Sequence, residues 1–220
     1  MGRIYEVLDT PVERPTVDND VPTPSEAGHG LKVRGLTFTY PGDVVPAVRD
    51  LSFDVQPGET LGIFGLTGSG KSTLLNLLSR VYEPPAGTVT LDDRDVRTLP
   101  IRDYWRTVAY VGQEPFLFSR SIEENIALAN HAGEADENRM EEAVRDAALA
   151  DDLAAFPDGL STVVGERGMT VSGGQRQRTA LARAFYRDFD VLLLDDVMSA
   201  VDHATEKKLI EAISLRNNES

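Results

Sequence analysis

Two adjacent aspartates, Asp195 and Asp196, directly follow the apolar run VLLL at residues 191–194. Carboxylates at the end of a buried strand are well placed to hold a hard cation such as Mg²⁺, because that ion prefers oxygen ligands. A neighbouring carboxylate can act as a general base when it lies within hydrogen-bond reach of the proton that it removes. The pair therefore predicts a metal ligand at Asp195. Asp196 is open to three interpretations: a general base, a weak substitute for one, or part of a turn.

The segment GLTGSGKST, residues 65–73, matches the phosphate-binding pattern G-x-x-x-x-G-K-[ST]. Its glycines let the backbone curl so that successive N–H groups face one anion, and the helix predicted to begin there adds partial positive charge. Lys71 would reach the terminal phosphates of a nucleotide, and the Ser72 hydroxyl would join the Mg²⁺ shell. The predicted nucleotide-binding residues are Gly65, Leu66, Thr67, Gly68, Ser69, Gly70, Lys71, Ser72 and Thr73.

A second helix start could also face an anion. In VSGGQRQRTALARAFY, which begins at Val171, Ser172 and Gln175 have the spacing of a capping box. Gly173 and Gly174 lower the helix propensity, which is reasonable if a bulky anion must approach the N–H groups closely. An ordinary helix N-terminus and a second anion site are both compatible with this pattern.

These motifs lie in a chain that alternates predicted strands and helices. The predicted strands are LKVRGLTFTY, LSFDV, TLGIFG, GTVTLDD, TVAYVGQ and VLLL, and the predicted helices are STLLNLLSRV and HATEKKLIEAISL. The stretch from about Ser121 to Asp188 is mostly helical in pattern. This order predicts an α/β fold with a partly parallel sheet. Ahead of it, residues 9–30 are rich in proline and acid and are predicted to be an extended linker.

The bulk composition disfavours several classes of protein. With 22 Lys and Arg against 36 Asp and Glu, the net charge is -14, which repels nucleic acid and anionic membranes unless basic residues cluster. There are no cysteines, so disulfides and thiolate metal sites are excluded. No apolar run approaches the roughly 20 residues that span a bilayer. The first residues, MGRIYEVLDT, lack the apolar length of a signal peptide.

VSGGQ followed by RQRTALARAF, ahead of LLLDD, resembles the signature motif of ABC-type ATPases. Gln113 in YVGQEPFLF resembles that family's Q-loop, Asp202 in SAVD resembles its D-loop, and Tyr40 in FTYPG matches the aromatic residue that stacks on adenine. The motifs stand in the family's order over residues 31 to about 214. Within the family, GERG with Glu166 and PFLFSRSIEENIAL resemble exporters, and RIYEVLDTP resembles the chain after their last transmembrane helix.

The resemblance implies an α/β fold: a P-loop NTPase core with a mixed sheet, an N-terminal antiparallel β subdomain and a helical subdomain, with the C-terminal strands missing. It assigns residues 1–30 to a linker from an absent transmembrane domain and residues 31–220 to a nucleotide-binding domain. The core would comprise residues 31–112 and 189–220, and the helical subdomain would comprise about 113–188. The chain would end before the family's switch histidine, since neither His29 nor His131 nor His203 stands in that place.

The resemblance also implies a mechanism. Two such domains pair head to tail around Mg-ATP and power export across a membrane, each ATP lying between the phosphate loop of one and the signature of the other. Ser172, Gly173, Gly174 and Gln175 would thus face the ATP of the partner, while Ser72, Gln113 and Asp195 would hold Mg²⁺. Expected partners are a second nucleotide-binding domain and the protein's own transmembrane domain, with no nucleic acid. The resemblance implies that the domain lies at the cytoplasmic face of the cell membrane as part of the full transporter, and that the chain alone is soluble.

One departure concerns Asp196, which stands where the family has a glutamate as general base. Aspartate is shorter by about 1.5 Å, and a misplacement of about 1 Å costs about 10²-fold. Asp196 would therefore be a weak general base, and Gln113 would be the other catalytic residue. Because the signature is almost intact, with Val171 in place of leucine, the chain resembles the degenerate-site half of a heterodimeric multidrug-type exporter. We expect ATP binding with slow hydrolysis by the isolated chain.

Two other functions stay open. One is a non-catalytic regulatory module that binds ATP, which Asp196 and the absent switch histidine favour. The other is a soluble ABC ATPase acting on DNA or ribosomes, which the short interval between Gln113 and Ser172 and the acidic charge disfavour. The acidic residues between 133 and 153 are predicted to lie on a solvated helix face. Phe116 and Phe118 fit equally a core position and a contact with the membrane domain.

Overall fold

The computed structural model of the chain describes residues 30–129, 136–165, 171–200 and 203–218. Most of the predicted linker lies outside the described residues, and so do Glu166, the D-loop residue Asp202, His29 and His131. Within the described ranges, no helix has both the length and the apolar content needed to cross a membrane.

The first half of the chain is built on a four-stranded antiparallel sheet in the order β2-β1-β3-β4, which confirms the predicted antiparallel β subdomain. Its strands are β1 (Leu31–Phe38), β2 (Val48–Val55), β3 (Val89–Leu91) and β4 (Arg94–Asp95). In β1, Val33 and Leu36 are both buried although they are three residues apart, whereas strict alternation would put them on opposite faces. A shift of register between them, where Gly35 has a φ of 54°, returns Leu36 to the core.

Helix α1 (Lys71–Leu78) packs on this sheet. It buries four leucines in the same core as Val33 and Val89: Leu74, Leu75, Leu77 and Leu78. Its C-terminal end is fixed to α2 (Ile101–Thr107), because the Tyr104 hydroxyl donates to the Leu78 carbonyl and Trp105 Nε1 donates to the Ser79 carbonyl at 2.9 Å. The helix that follows the phosphate loop therefore has a fixed far end.

Two parallel strands form a second sheet, β5 (Val108–Val111) and β6 (Val191–Leu194). Their register pairs Val111 with Leu194, so the residues that follow the two strands come to the same edge. The described strands are thus arranged as two sheets, one antiparallel and one parallel. The parallel pairing brings Gln113 near the aspartates of the LLLDD segment.

The strand predicted for TLGIFG is not formed. Residues 59–66 have no regular secondary structure, and Phe64 is 95% exposed. A strand needs a neighbour at about 4.8 Å, but a cavity of about 840 Å³ is lined both by Leu61 and Ile63 and by Leu192 and Leu194 of β6. The apolar run therefore borders open space, and the prediction of a strand there was wrong because local apolar content does not supply a pairing partner.

The remaining described elements are mostly helical. They are α3 (Ile122–Ala127), α4 (Glu137–Asp146), α5 (Ala150–Ala155), α6 (Gly173–Phe185) and α7 (His203–Asn218), with 3-10 turns at Val96–Thr98, Gly159–Ser161 and Val197–Ala200. Helix α4 buries Met140, Ala143 and Val144, and its three glutamates are exposed as predicted, whereas Asp146 is only 15% exposed and is paired with Arg216. Helix α7 begins at His203, also as predicted. A second core joins these helices to β5 and β6.

Candidate functional site

The phosphate loop curls into α1 through two glycines with positive φ. Gly68 has a φ of 81° and Gly70 a φ of 90°, which is the left-handed region that side chains disfavour. The Lys71 ammonium lies across the mouth of the loop and donates to the carbonyl oxygens of Gly65 and Leu66, at 2.9 and 3.0 Å. A cation thus already lies where the negative phosphates of a nucleotide would enter.

Gly70 also brings the loop into contact with the antiparallel sheet. A Cβ atom at Gly70 would lie well within 3.0 Å of the Ala47 carbonyl oxygen, so only glycine fits there. As the N-cap of α1, Gly70 has no side chain to bind the first N–H groups of the helix. Those donors and the positive end of the helix dipole are therefore directed to the loop, as an anion site requires.

The two aspartates at the end of β6 have different surroundings. Asp195 is 7% exposed, and within the described ranges its carboxylate has no hydrogen-bond or ion-pair partner. A buried carboxylate without a partner is costly, which a cation would relieve. Asp196 is exposed, has a φ of 53°, and accepts a hydrogen bond from Gln113 Nε2 at 3.2 Å. The Ser199 hydroxyl donates to the Asp196 carbonyl at 2.9 Å, so Asp196 also begins a turn.

The charge of Asp195 affects its neighbour on β5. Burial raises the pKa of Tyr110, and the nearby Asp195 carboxylate raises it further. The Tyr110 hydroxyl donates to Asn76 Oδ1 of α1 at 3.2 Å. Tyr110 therefore stays a neutral donor that links the parallel sheet to the helix of the phosphate loop, and it adds no charge beside Asp195.

One cavity brings most of the predicted site residues together. The cavity of about 840 Å³ beside β6 is lined, among others, by Gly65, Thr67, Gly68, Gly70, Lys71, Ser72, Thr73, Gln113, Asp195 and Asp196. The donor set fits Mg²⁺: the Ser72 hydroxyl, the Gln113 amide oxygen and the Asp195 carboxylate are all hard oxygen ligands, and Mg²⁺ completes its shell with phosphate and water. The described residues contain no cluster of three carboxylates or histidines that would hold a metal without such help.

Tyr40 is attached to the same helix from the side of the antiparallel sheet. Its hydroxyl donates to Thr73 Oγ1 at 3.1 Å, and its ring meets Phe38 and Tyr82 edge to face, with centroids 5.1 and 5.2 Å apart. Sequence reasoning missed Tyr82, because nothing in its local pattern marks it as a neighbour of Tyr40. The aromatic group near the phosphate loop therefore has three rings.

The second helix start has the predicted cap. Ser172 Oγ accepts from the Gln175 backbone N–H at 3.2 Å, and Gln175 Oε1 accepts from the Ser172 N–H at 2.8 Å. This reciprocal pair confirms the capping box at the start of α6. A Cβ atom at Gly173 would meet no atom of the described residues within 4 Å, so packing among those residues does not require that glycine. The signature residues, Ser172 to Gln175, lie outside the cavity of the phosphate loop.

Two arginines in and just after α6 bind backbone carbonyl oxygens of neighbouring elements. Arg183 donates to the carbonyl oxygens of Asn125 and Phe116, at 2.7 and 3.0 Å, and burial lowers its pKa. Arg187 donates to the carbonyl oxygens of Trp105 and Val108. These two cations hold α6 against β5 and α3, and they do not form a basic patch.

Comparison with known proteins places these features in a family. A family model described as ABC transporter matches residues 48–199. An uncharacterized ABC transporter ATP-binding protein of Bacillus subtilis, YfiB, is 41% identical over 96% of this chain and 36% of that protein. An ATP-dependent lipid A-core flippase of Xanthomonas oryzae pv. oryzae is 39% identical over 96% of this chain and 35% of that protein. The chain spans about a third of the length of these curated relatives.

A solved structure described as a bacterial Atm1-family ABC exporter with ATP bound has the same fold. The TM-score is 0.88 at 32% identity, over 99% of this chain and 38% of that chain. The structural match confirms the P-loop NTPase fold, and the family match extends over most of the sequence. The chain therefore belongs to the ABC transporter family and is a nucleotide-binding domain of the exporter type.

Proposed function

We propose that this chain binds Mg-ATP in the cavity between the phosphate loop and the ends of β5 and β6. The observation that carries the proposal is that Lys71, Ser72, Gln113 and Asp195 line one cavity. Lys71 would turn from the loop carbonyl oxygens to the terminal phosphates, and the first N–H groups of α1 would bind phosphate oxygens. Ser72, Gln113 and Asp195 would hold Mg²⁺, which neutralises phosphate charge. Tyr40 would stack on the adenine.

The signature would act on a different ATP molecule, bound by a second nucleotide-binding domain in a head-to-tail pair. Its position outside the cavity supports this proposal, as does the open space over Gly173. Because Ser172 Oγ accepts from Gln175, its hydroxyl still has a hydrogen to donate to a γ-phosphate oxygen. ATP would join the two domains, and its hydrolysis would separate them to drive export across a membrane.

The protein's own transmembrane domain would bind at a groove beside α6. The groove of about 750 Å³ is lined by the exposed apolar residues Val81, Trp105, Phe116, Phe118 and Leu128. The rings of Phe116 and Phe118 meet edge to face at 4.9 Å and are about half exposed, which makes them contact residues in preference to core residues. A domain bound there would place this chain at the cytoplasmic face of the cell membrane.

Titration calorimetry with Mg-ATP tests the nucleotide site. Lys71→Ala is expected to weaken binding at least tenfold, because it removes the only side-chain cation that the structure places in the phosphate loop. Lys208→Ala is the matched control, since the Lys208 side chain is 63% exposed and lies outside the lining of the cavity. Equal affinity in Lys71→Ala and Lys208→Ala would contradict the assignment.

Asp196 supports an asymmetric transporter. The Asp196 side chain is shorter than the glutamate of the family, and its carboxylate is hydrogen-bonded to Gln113. Asp196 would therefore be a weak base at the ATP held by this chain. The almost intact signature would support fast hydrolysis at the ATP of a different half-transporter. A non-catalytic regulatory module remains the second candidate, because Asp196 would be a weak base.

Turnover of the complete transporter separates these cases. Asp196→Ala is expected to change turnover little, whereas Ser172→Ala is expected to lower it by about 10²-fold, because it removes a donor aimed at the partner's transition state. Loss of turnover in Asp196→Ala with none in Ser172→Ala would identify Asp196 as the working base. Unchanged turnover in both variants would favour the regulatory module.

A further inference from the structure

Asp152 of α5 is held against the start of the signature helix by two residues of α6. Its Oδ2 accepts from Arg178 Nε at 2.6 Å, and its Oδ1 accepts from Arg178 Nη2 at 2.9 Å. Oδ1 also accepts from Gln175 Nε2 at 3.3 Å. The Asp152 and Arg178 side chains are only 15% and 14% exposed. This is the bidentate, partly buried geometry in which a charge pair is strongest.

The Gln175 side chain connects this ion pair to Ser172. Its Nε2 donates to Asp152, and its Oε1 accepts from the Ser172 backbone N–H at 2.8 Å. The two ends of a glutamine amide are almost equal in shape, so the amide can turn over unless a neighbour accepts only. An ionised carboxylate accepts only, so Asp152 fixes which end of the amide faces Ser172.

We propose that Asp152 is a positioning residue for the signature, acting through Gln175 on Ser172. The proposal rests on the proposed role of Ser172 at the partner's ATP. With the amide fixed, Ser172 Oγ stays an acceptor from the Gln175 N–H, which leaves its hydroxyl hydrogen available to another acceptor. Without the carboxylate, the amide can present its NH₂ to the Ser172 N–H, and the cap is lost in that orientation.

A second ion pair in the chain provides a matched structural control. Asp146 of α4 accepts from Arg216 of α7, with Nη2 at 2.7 Å, and Asp146 is also 15% exposed. This pair likewise joins two helices through a partly buried carboxylate, but it links α4 to α7 and not to the start of α6. Asp146→Asn therefore reproduces the loss of an ion pair without changing the amide at the signature.

The first measurement is hydrogen exchange of backbone amides by NMR on the 220-residue chain. Asp152→Asn is expected to lower the protection of the Ser172 amide at least tenfold, and Asp152→Glu, which keeps an acceptor, is expected to restore most of it. Asp146→Asn should leave that amide at the wild-type value. If Asp152→Asn folds poorly, Gln175→Leu breaks the same connection while Arg178 and Asp152 stay paired, and it should show the same local loss.

The second measurement is dimerisation in Mg-ATP, followed by sedimentation velocity. Asp152→Asn is expected to weaken dimerisation at least tenfold while calorimetric affinity for Mg-ATP stays within twofold of wild type, and Asp146→Asn should change neither. A merely structural ion pair would not separate the two variants in this way. Wild-type protection of Ser172 in Asp152→Asn, or an equal loss of dimerisation in Asp146→Asn, overturns the proposal. If the wild-type chain does not pair with itself, as a half that pairs only with a different chain would not, exchange at Ser172 alone decides the role of Asp152.

Discussion

Replacing Gly70 with alanine is expected to destabilise the chain far more than the same replacement at Gly68. Both glycines have a positive φ, near 90° and 81°, so each alanine would carry a strain of about 1–2 kcal/mol. Only at Gly70 would the new Cβ also meet backbone, because it would lie well within 3.0 Å of the Ala47 oxygen and 3.2 Å from the Ala47 carbonyl carbon. At Gly68 nothing lies within 4 Å.

The expected magnitudes follow from that difference. Overpacking against atoms that cannot rotate away costs about 1–3 kcal/mol, while the reduced freedom of the unfolded chain returns about 0.4–1 kcal/mol in both variants. Gly70→Ala should therefore lower the free energy of unfolding by about 2–4 kcal/mol, and Gly68→Ala by about 1 kcal/mol. The Ala47 carbonyl belongs to the turn that leads into β2, so relief of the clash would also move the start of α1 and weaken Mg-ATP binding.

Urea denaturation followed by tryptophan fluorescence is a suitable assay, since the chain has one tryptophan, Trp105, which bonds the end of α1. With a urea dependence of about 2 kcal/mol per M, the midpoint of Gly70→Ala should lie about 1 M or more below wild type. The midpoint of Gly68→Ala should lie about 0.5 M below. Equal midpoints for the two variants would refute the argument, because they would show that the Ala47 contact carries no cost.

Three further outcomes are expected. Tyr40→Phe should bind Mg-ATP within about twofold of wild type and Tyr40→Ala about tenfold more weakly, because an aromatic stack is worth about 1–3 kcal/mol. Calorimetry with both variants checks this, and equal affinities of the two would exclude stacking. Glu124 accepts from the Ser121 backbone N–H and hydroxyl, which holds the pKa of its carboxyl below the ordinary 4.5. The stability that this carboxylate contributes should be complete above pH 4.5 and be lost as pH falls through the folded pKa. Glu124→Gln should therefore flatten this part of the plot of urea midpoint against pH. Arg183→Leu should cost about 2 kcal/mol in urea, because the carbonyl oxygen of the buried Asn125 loses its donor; a change near zero would mean that water replaces the guanidinium.

Short-range patterns in the sequence predicted the parts of the site that depend on local geometry. The glycines of the phosphate loop and the S-x-x-Q spacing at Ser172 act within a few residues, so spacing alone determines which atoms meet. The same spacing occurs in SIEE, where Ser121 and Glu124 form a second capping box that sequence reasoning did not identify. The strand expected at TLGIFG failed for the opposite reason, because a strand depends on a neighbour that can lie anywhere in the chain.

Contacts across long intervals could not be predicted. The bond between Gln113 and Asp196 requires the register of β5 on β6, which periodicity does not encode. Asp152 lay within a stretch that was assigned as a whole to a solvated face. Helical spacing there was correct for the glutamates of α4, but it could not show that later helices would place Arg216 against Asp146, or Arg178 and Gln175 against Asp152.

The hydrogen bonds that hold α6 against its neighbours affect which of the residues involved can be substituted. Arg183 and Arg187 bind carbonyl oxygens of Trp105, Val108, Phe116 and Asn125, and every amino acid carries that oxygen. The exposed partner positions, Trp105 and Phe116, are therefore able to change residue type without breaking their hydrogen bonds to the arginines, whereas either arginine is replaceable only by a side chain with the same reach and donors. Substitutions should thus accumulate faster at the exposed residues that face the groove than at the two arginines behind them. The surface of the groove could then change while the hydrogen bonds that hold the signature helix are retained.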